Sequence, residues 1–403
     1  YISRMIPRNL ELPIHKYKSQ YPVIAIVGPR QSGKTTLAQN LFHDYDYCSL
    51  ENLDMRLYAE EDPRGFLKSY PPPLIIDEAQ RAPSLFAYLQ EMVDKNSKPA
   101  QYVLTGSQQF LLMEKITQSL AGRIIIFTLF PFTVNELIVK RFDKDIHSIF
   151  TVKKENKKHC NTIPIDSMIF SGMFPRIHDK HLDASKWLEN YTVTYIERDI
   201  RNLINIENLH QFEIFIKTVA SYSGQLVNYA SLSNRIGISQ PTVKKWLSML
   251  ETSGVIFFLQ PYFKNVAKRV IKTPKLYFID TGLLCFLLSI RSQKELIGHP
   301  LYGSIFETFI IAELYKRIVH TGITTPPLYF FRDRTGNEID CIVEWEGLLT
   351  VEIKSAKTYN PKFTEGIQKC NPMLNAQKGI VIYGGDHIFN QDEAMAVVPW
   401  WAL

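Results

Sequence analysis

The nine residues "GPRQSGKTT" (Gly28–Thr36) constrain this chain more than any other stretch. They fit the pattern G-x-x-x-x-G-K-[ST], follow the apolar run "VIAIV" and precede the helix-forming "TTLAQNLF". A strand, a glycine loop and a helix in that order form a phosphate cradle. The glycines allow tight backbone turns, and successive N–H groups then face an anion at a helix N-terminus. Gly28, Pro29, Arg30, Gln31, Ser32, Gly33, Lys34, Thr35 and Thr36 are therefore the expected ATP-binding loop. Lys34 would bridge the β- and γ-phosphates, and Thr35 would place its hydroxyl on Mg²⁺.

Further along, "PPPLIIDEAQ" ends an apolar strand on Asp77 and Glu78. Asp77 is expected to hold the magnesium through water and Glu78 to polarise the attacking water, which argues for hydrolysis over binding alone. In "YVLTGSQQF", Thr105 and Ser107 are candidates to sense the γ-phosphate or position the water, although either also suits a helix cap. A positive charge for the transition state could come from Arg123 in "SLAGRI", which is favoured, or from Arg198 or Arg201 in "ERDIRNL". Each fits a structural ion pair equally well.

Continuous apolar runs at residues 20–140, such as Leu74–Ile76, suit strands of a parallel α/β sheet covered on both faces. The division expected over 403 residues is a core at 1–150, a linker and helical lid at 151–205, a third unit at 206–298 and a fourth at 299–403. In the third, "NYASLSNRIGISQPTVKKWLSMLETSGVIFFL" reads helix, turn, helix, strand. Ser239 is a cap, Pro241 lies in the first turn and Gly254 is the stop. That order looks like a winged helix. Lys244 and Lys245 fall off its apolar face, and Lys264, Lys268, Arg269, Lys272 and Lys275 follow in the expected wing. These cations could pair with DNA phosphates, and Tyr262 and Phe263 could stack on bases, although core positions suit them better.

Bulk properties exclude little. A net charge of +6 is compatible with nucleic acid and equally with an ordinary solvated surface. Five scattered cysteines suggest neither a disulfide framework nor a zinc site and fit a reducing compartment. No apolar run reaches membrane-spanning length, and the start lacks a signal-peptide pattern, so a soluble cytoplasmic protein is expected. The chain opens on Tyr1, which is compatible with a missing N-terminus.

"GPRQSGKTTLAQ", "LIIDEAQRAP", "LTGSQQFLL", "SLAGR" and "FPFTVNEL" together resemble the bacterial and archaeal AAA-type ATPases that carry a fused, largely uncharacterised C-terminal domain. The later blocks "YIERDIRNL", "KTPKLYFIDTGLL", "GSIFETFIIAEL" and "EIDCIVEWEGLLTVEIKSAK" are also similar to that family. The resemblance implies an α/β AAA-type P-loop NTPase core, a helical lid, a winged-helix segment and an α/β restriction-endonuclease-like domain.

In that last part, "LLTVEIKSAK" alternates as a strand, so Glu352 and Lys354 share a face. Asp340 lies twelve residues before Glu352, far enough for a hairpin. The set resembles the PD-(D/E)xK nucleases, which use Asp, Glu and Lys on two adjacent strands and often add a carboxylate on the preceding helix, here Glu307. On that resemblance Asp340 and Glu352 would hold a metal that generates hydroxide, and Lys354 would orient the water. A surface ion-pair ladder gives the same residues without metal. Asn337 and Glu338 stand where a proline often precedes the aspartate.

The expectation is a Mg-dependent ATPase acting on DNA, with metal-dependent cleavage by the last domain left open. Its rival is a nucleotide-switched regulator or scaffold, binding DNA or protein, whose nuclease-like fold is inert. No protein partner can be named, and an arginine acting in trans would require a homo-oligomer.

Overall fold

The computed structural model describes residues 6–96, 98–107, 119–139, 143–152, 163–195, 209–263, 273–390 and 394–402. Arg198, Arg201, Lys264, Lys268, Arg269 and Lys272 lie outside the described residues.

Five parallel strands form the first sheet: β1 (Val23–Val27), β2 (Asp46–Ser49), β3 (Leu74–Asp77), β4 (Tyr102–Gly106) and β5 (Ile124–Thr128). Their spatial order is β2-β3-β4-β1-β5. Every residue of β1, β3 and β4 is buried, as unbroken apolar runs require when helices cover both faces. Burial of each Val or Ile side chain is worth about 1.5–3 kcal/mol, so β1, flanked by β4 and β5, is a strong anchor for the loop that leaves it.

The second sheet has nine strands in the order β13-β14-β12-β11-β10-β9-β7-β8-β6. They are β6 (Gln225–Leu226), β7 (Ile256–Pro261), β8 (Lys275–Phe278), β9 (Leu328–Arg332), β10 (Glu338–Glu344), β11 (Leu348–Lys354), β12 (Lys378–Tyr383), β13 (Phe389–Asn390) and β14 (Met395–Pro399). The elements from 209 run helix Leu209–Ala220, β6, helix Tyr229–Ile236, helix Gln240–Thr252, β7, β8. As expected, Ser239 accepts from the Thr242 N–H and Pro241 sits in the first turn; Val243, Trp246, Leu247 and Leu250 form the buried face. β7 then pairs in parallel with β9 through Gln260–Tyr329 and Pro261–Phe330. The sheet thus crosses the division expected near residue 298.

The helix Tyr302–His320 contains fourteen buried residues among its nineteen. A helix buried on nearly every side must be enclosed by neighbours. It packs against β8, β11 and β5, and so bridges the two sheets.

Candidate nucleotide site

Local geometry builds the loop after β1. Gly28 has φ 143°, and a Cβ there would fall 2.2 Å from the Leu129 carbonyl oxygen, so no side chain fits. Gly33, at φ 96°, starts the helix Lys34–Leu41. The Lys34 ammonium donates to the Pro29 carbonyl at 2.9 Å. Burial lowers its pKa to about 8, against the pull of Glu78 and Asp77.

Asp77 and Glu78, adjacent at the end of β3, have different partners. Asp77 Oδ1 accepts from the Thr35 hydroxyl at 2.8 Å and from the Thr105 hydroxyl, while Oδ2 accepts from Tyr47 at 3.0 Å. Glu78 sits at φ 55° and accepts from Ser107 Oγ at 2.8 Å and Gln80 Nε2 at 2.5 Å. The turned backbone aims the two carboxylates apart. One meets the hydroxyl of the loop helix and the other meets Ser107, the residue that follows β4. Thr35 and Asp77 together offer hard oxygen donors of the kind Mg²⁺ takes beside phosphate oxygens.

Lys34, Thr35, Asp77, Glu78 and Ser107 line a cleft of about 670 Å³ that also includes Arg30, Gln31 and Thr36. Sequence reasoning missed several of its walls: Arg8, Phe132, Pro175, Arg176, Asp179 and Lys180. Arg176 and Lys180 come from the short helix Pro175–Asp179 and its end. No motif marks "FPRI", and only folding brings those cations to the loop.

The favoured Arg123 is elsewhere. Its carbonyl accepts from the Val23 N–H, at the strand edge opposite the phosphate loop. Its guanidinium pairs with Asp94 at 2.5 Å. Five strand residues separate it from the cleft, about 16 Å at 3.3 Å each. Within its own chain Arg123 is thus a surface ion-pair residue, because the strand it precedes is parallel to β1 and starts at the far end of the sheet.

The C-terminal set does come together. A bulge in β10 between Ile339 and Ile342 re-aims Asp340, whose Oδ2 accepts from the Ile353 N–H of β11 at 2.8 Å. Glu352 and Lys354 share a face and form an ion pair at 2.5 Å. Glu307 accepts from Tyr277 at 2.6 Å and lies 3.4 Å from Lys275, which also meets Glu338 at 2.6 Å. Burial, then Asp340, raises Glu307 to about 7 and Glu352 to about 8. Burial opposes the charge of Lys275, yet Glu307, Asp340 and Glu338 hold it above the usual lysine range.

This arrangement departs from the expected metal cradle. Two lysines face four carboxylates, Lys354 paired with Glu352 and Lys275 with Glu307 and Glu338, and among the described residues no group of three or more His, Cys, Asp or Glu side chains is placed to hold a metal ion. Lys275 is the unforeseen member. The sequence places it among the wing cations, whereas the fold buries it in β8 against the carboxylates. Lys244 and Lys245 are exposed on the helix Gln240–Thr252, with Lys244 5.2 Å from the Tyr229 ring.

Comparison with known proteins agrees with the first part of this description. Residues 20–138 match the family described as "AAA domain". Residues 164–294 and 302–403 match two families described only as domains of unknown function, DUF8612 and DUF4143. The core is thus a P-loop ATPase-like α/β domain. The uncharacterised protein Rv2008c of Mycobacterium tuberculosis is 29% identical over 384 residues, 94% of this chain and 80% of its own. The uncharacterised protein MJ1637 of Methanocaldococcus jannaschii is 22% identical over 94% of this chain and 83% of its own. Among solved structures, the Walker-type ATPase PABY2304 of Pyrococcus abyssi matches 70% of this chain and 96% of its own, at 15% identity and a TM-score of 0.45. No helix among the described residues is long and apolar enough to cross a membrane.

Proposed function

We propose that this chain is an ATPase that binds ATP at residues 28–36, hydrolyses it with Glu78 and couples that cycle to DNA held by the region around Lys244 and Lys245. The observation that carries the reading is the split between neighbouring carboxylates: Asp77 bonded to Thr35, and Glu78 bonded to Ser107. Bound Mg²⁺ would be held by Thr35 and Asp77 and would neutralise phosphate charge there. Lys34 would meet the phosphates, Glu78 would orient and deprotonate water, and Ser107 would fix the Glu78 carboxylate. Arg176 adds positive charge to the cleft wall, where Lys180 is paired with Asp179 at 3.0 Å.

The order helix, strand, helix, helix, strand, strand supports a winged-helix reading of residues 209–278. Its second and third helices leave Asn234, Arg235, Gln240, Lys244 and Lys245 exposed, a polar and basic face suited to phosphates.

A specific observation favours an inert C-terminal fold. Glu352 is paired with Lys354, and Glu307 and Glu338 share Lys275, so three of the four carboxylates are already engaged by lysine. In this form the domain supports the regulator reading, with nucleotide as the switch and DNA or protein as the bound partner. The deciding experiment is phosphate release by the full chain, with and without duplex DNA, against Lys34→Ala. Turnover absent in Lys34→Ala and altered by DNA supports the proposal. DNA binding without any turnover would leave only the switched regulator.

A further inference from the structure

Arg8 precedes every motif described above, yet it is 4% exposed and stands beside the phosphate loop. Its Nη1 donates to the Ser32 carbonyl at 2.8 Å and its Nη2 to the Phe130 carbonyl at 2.6 Å. Its Nε faces Glu136 Oε1 at 3.2 Å. Across a trans peptide, C=O and N–H point in opposite directions. Holding the Ser32 oxygen therefore fixes the direction of the Gly33 N–H, one of the donors at the start of the phosphate-facing helix.

Glu136 is fully buried. It accepts from the Asn9 N–H at 2.7 Å and the Thr133 N–H at 2.9 Å. Burial opposes its charge, but Arg8, His320 and the Thr133 N–H keep it ionised. On its other side stands His320, also fully buried. The Phe130 N–H donates to His320 Nε2 at 3.1 Å, which makes Nε2 the acceptor. In the neutral ring the proton is then on Nδ1, 3.4 Å from Glu136 Oε1. Phe130 is thus held at both backbone groups, its C=O by the N-terminal segment and its N–H by the last residue of the helix Tyr302–His320.

Two more side chains of that helix repeat the contact at alternate residues of the same segment. Lys316 donates to the Phe132 carbonyl at 2.8 Å, and Glu313 accepts from the Val134 N–H at 2.8 Å. The helix is about 28 Å long at 1.5 Å per residue, and Glu307 lies about 20 Å along it from His320.

Resting on the nucleotide-site reading of residues 28–36, we propose that Arg8, Glu136 and His320 are positioning residues that tie the phosphate loop to the helix Tyr302–His320, so that nucleotide at the loop and the setting of that helix are coupled. The coupling is reciprocal: if nucleotide biases the setting of the helix, then a change at His320 that biases the same setting, without touching nucleotide, changes nucleotide affinity.

The test uses the full chain with Mg-ADP and a non-hydrolysable ATP analogue. It compares wild type, Arg8→Lys, His320→Ala, His320→Gln and Lys34→Ala, by calorimetric affinity and by amide exchange at residues 316–322. The expected result is a wild-type exchange rate at the helix end that nucleotide changes by about fivefold or more, and a comparable loss of affinity in His320→Ala. His320→Gln, able both to accept from Phe130 and to donate to Glu136, retains both properties. Arg8→Lys, which cannot hold two carbonyls and a carboxylate at once, weakens binding. A merely structural role would lower thermal stability and leave affinity and exchange response unchanged, which overturns the proposal. So does a wild type that binds nucleotide with no exchange change at 316–322. Should His320→Ala fail to fold, the wild-type exchange and Arg8→Lys still decide. If wild type binds no better than Lys34→Ala, the nucleotide-site reading itself falls, and the proposal with it.

Discussion

Lys354 and Glu352 stand 2.5 Å apart on one face of β11, with the Glu352 side chain 6% exposed and that of Lys354 35%. With Glu352 engaged by Lys354, the strand is expected to be catalytically silent. Plasmid DNA incubated with Mg²⁺ or Mn²⁺, with and without ATP, should show no cutting attributable to this site. Cleavage by wild type that disappears in Asp340→Ala would restore the endonuclease reading.

At the nucleotide site, Lys34→Ala should abolish ATP binding. Glu78→Gln should keep binding and lower turnover by about 10²- to 10⁴-fold, the usual range for a lost general base. Calorimetry and phosphate release on the same preparations separate the two. Equal loss of binding in both variants would remove Glu78 from the water-activating role.

Nucleotide affinity should depend on pH through Lys34. With its pKa near 8 in the free protein, the ammonium needed by the phosphates is present below pH 8 and is lost above it. Binding then requires proton uptake, so affinity should fall by up to about tenfold per pH unit above 8. Titrations in two buffers of different ionisation enthalpy report that uptake directly, and Lys34→Arg should flatten the profile if it still binds.

Arg317 and Asp143 form a bidentate pair at 2.7 and 2.9 Å, with both side chains at most 3% exposed. Asp143→Ala leaves a buried guanidinium unpaired and should cost about 3–5 kcal/mol in denaturant unfolding. A loss below about 1 kcal/mol would mean that water reaches the arginine.

If the helix Gln240–Thr252 meets DNA, Lys244→Ala with Lys245→Ala should weaken binding alike on unrelated sequences. The log–log salt slope should become shallower by about 1 per lost phosphate contact. An unchanged slope would place DNA elsewhere or remove it.

Features carried by adjacent residues were legible in the sequence. The glycine loop, Asp77 and Glu78 at a strand end, the cap and stop of the helix Gln240–Thr252, and the shared face of Glu352 and Lys354 all follow from local conformational limits and strand or helix period. They hold wherever the segment ends up. Tertiary structure alone decided what stands opposite them. Arg123 is carried to the wrong end of the sheet by the parallel pairing of β5 with β1. Lys275 is buried against Glu307 and Glu338 because β7 joins β9. Arg8, Glu136 and His320, from three distant parts of the chain, meet behind the phosphate loop. Electrostatic partners are chosen by distance in space, on which strand order and helix packing act and sequence spacing does not.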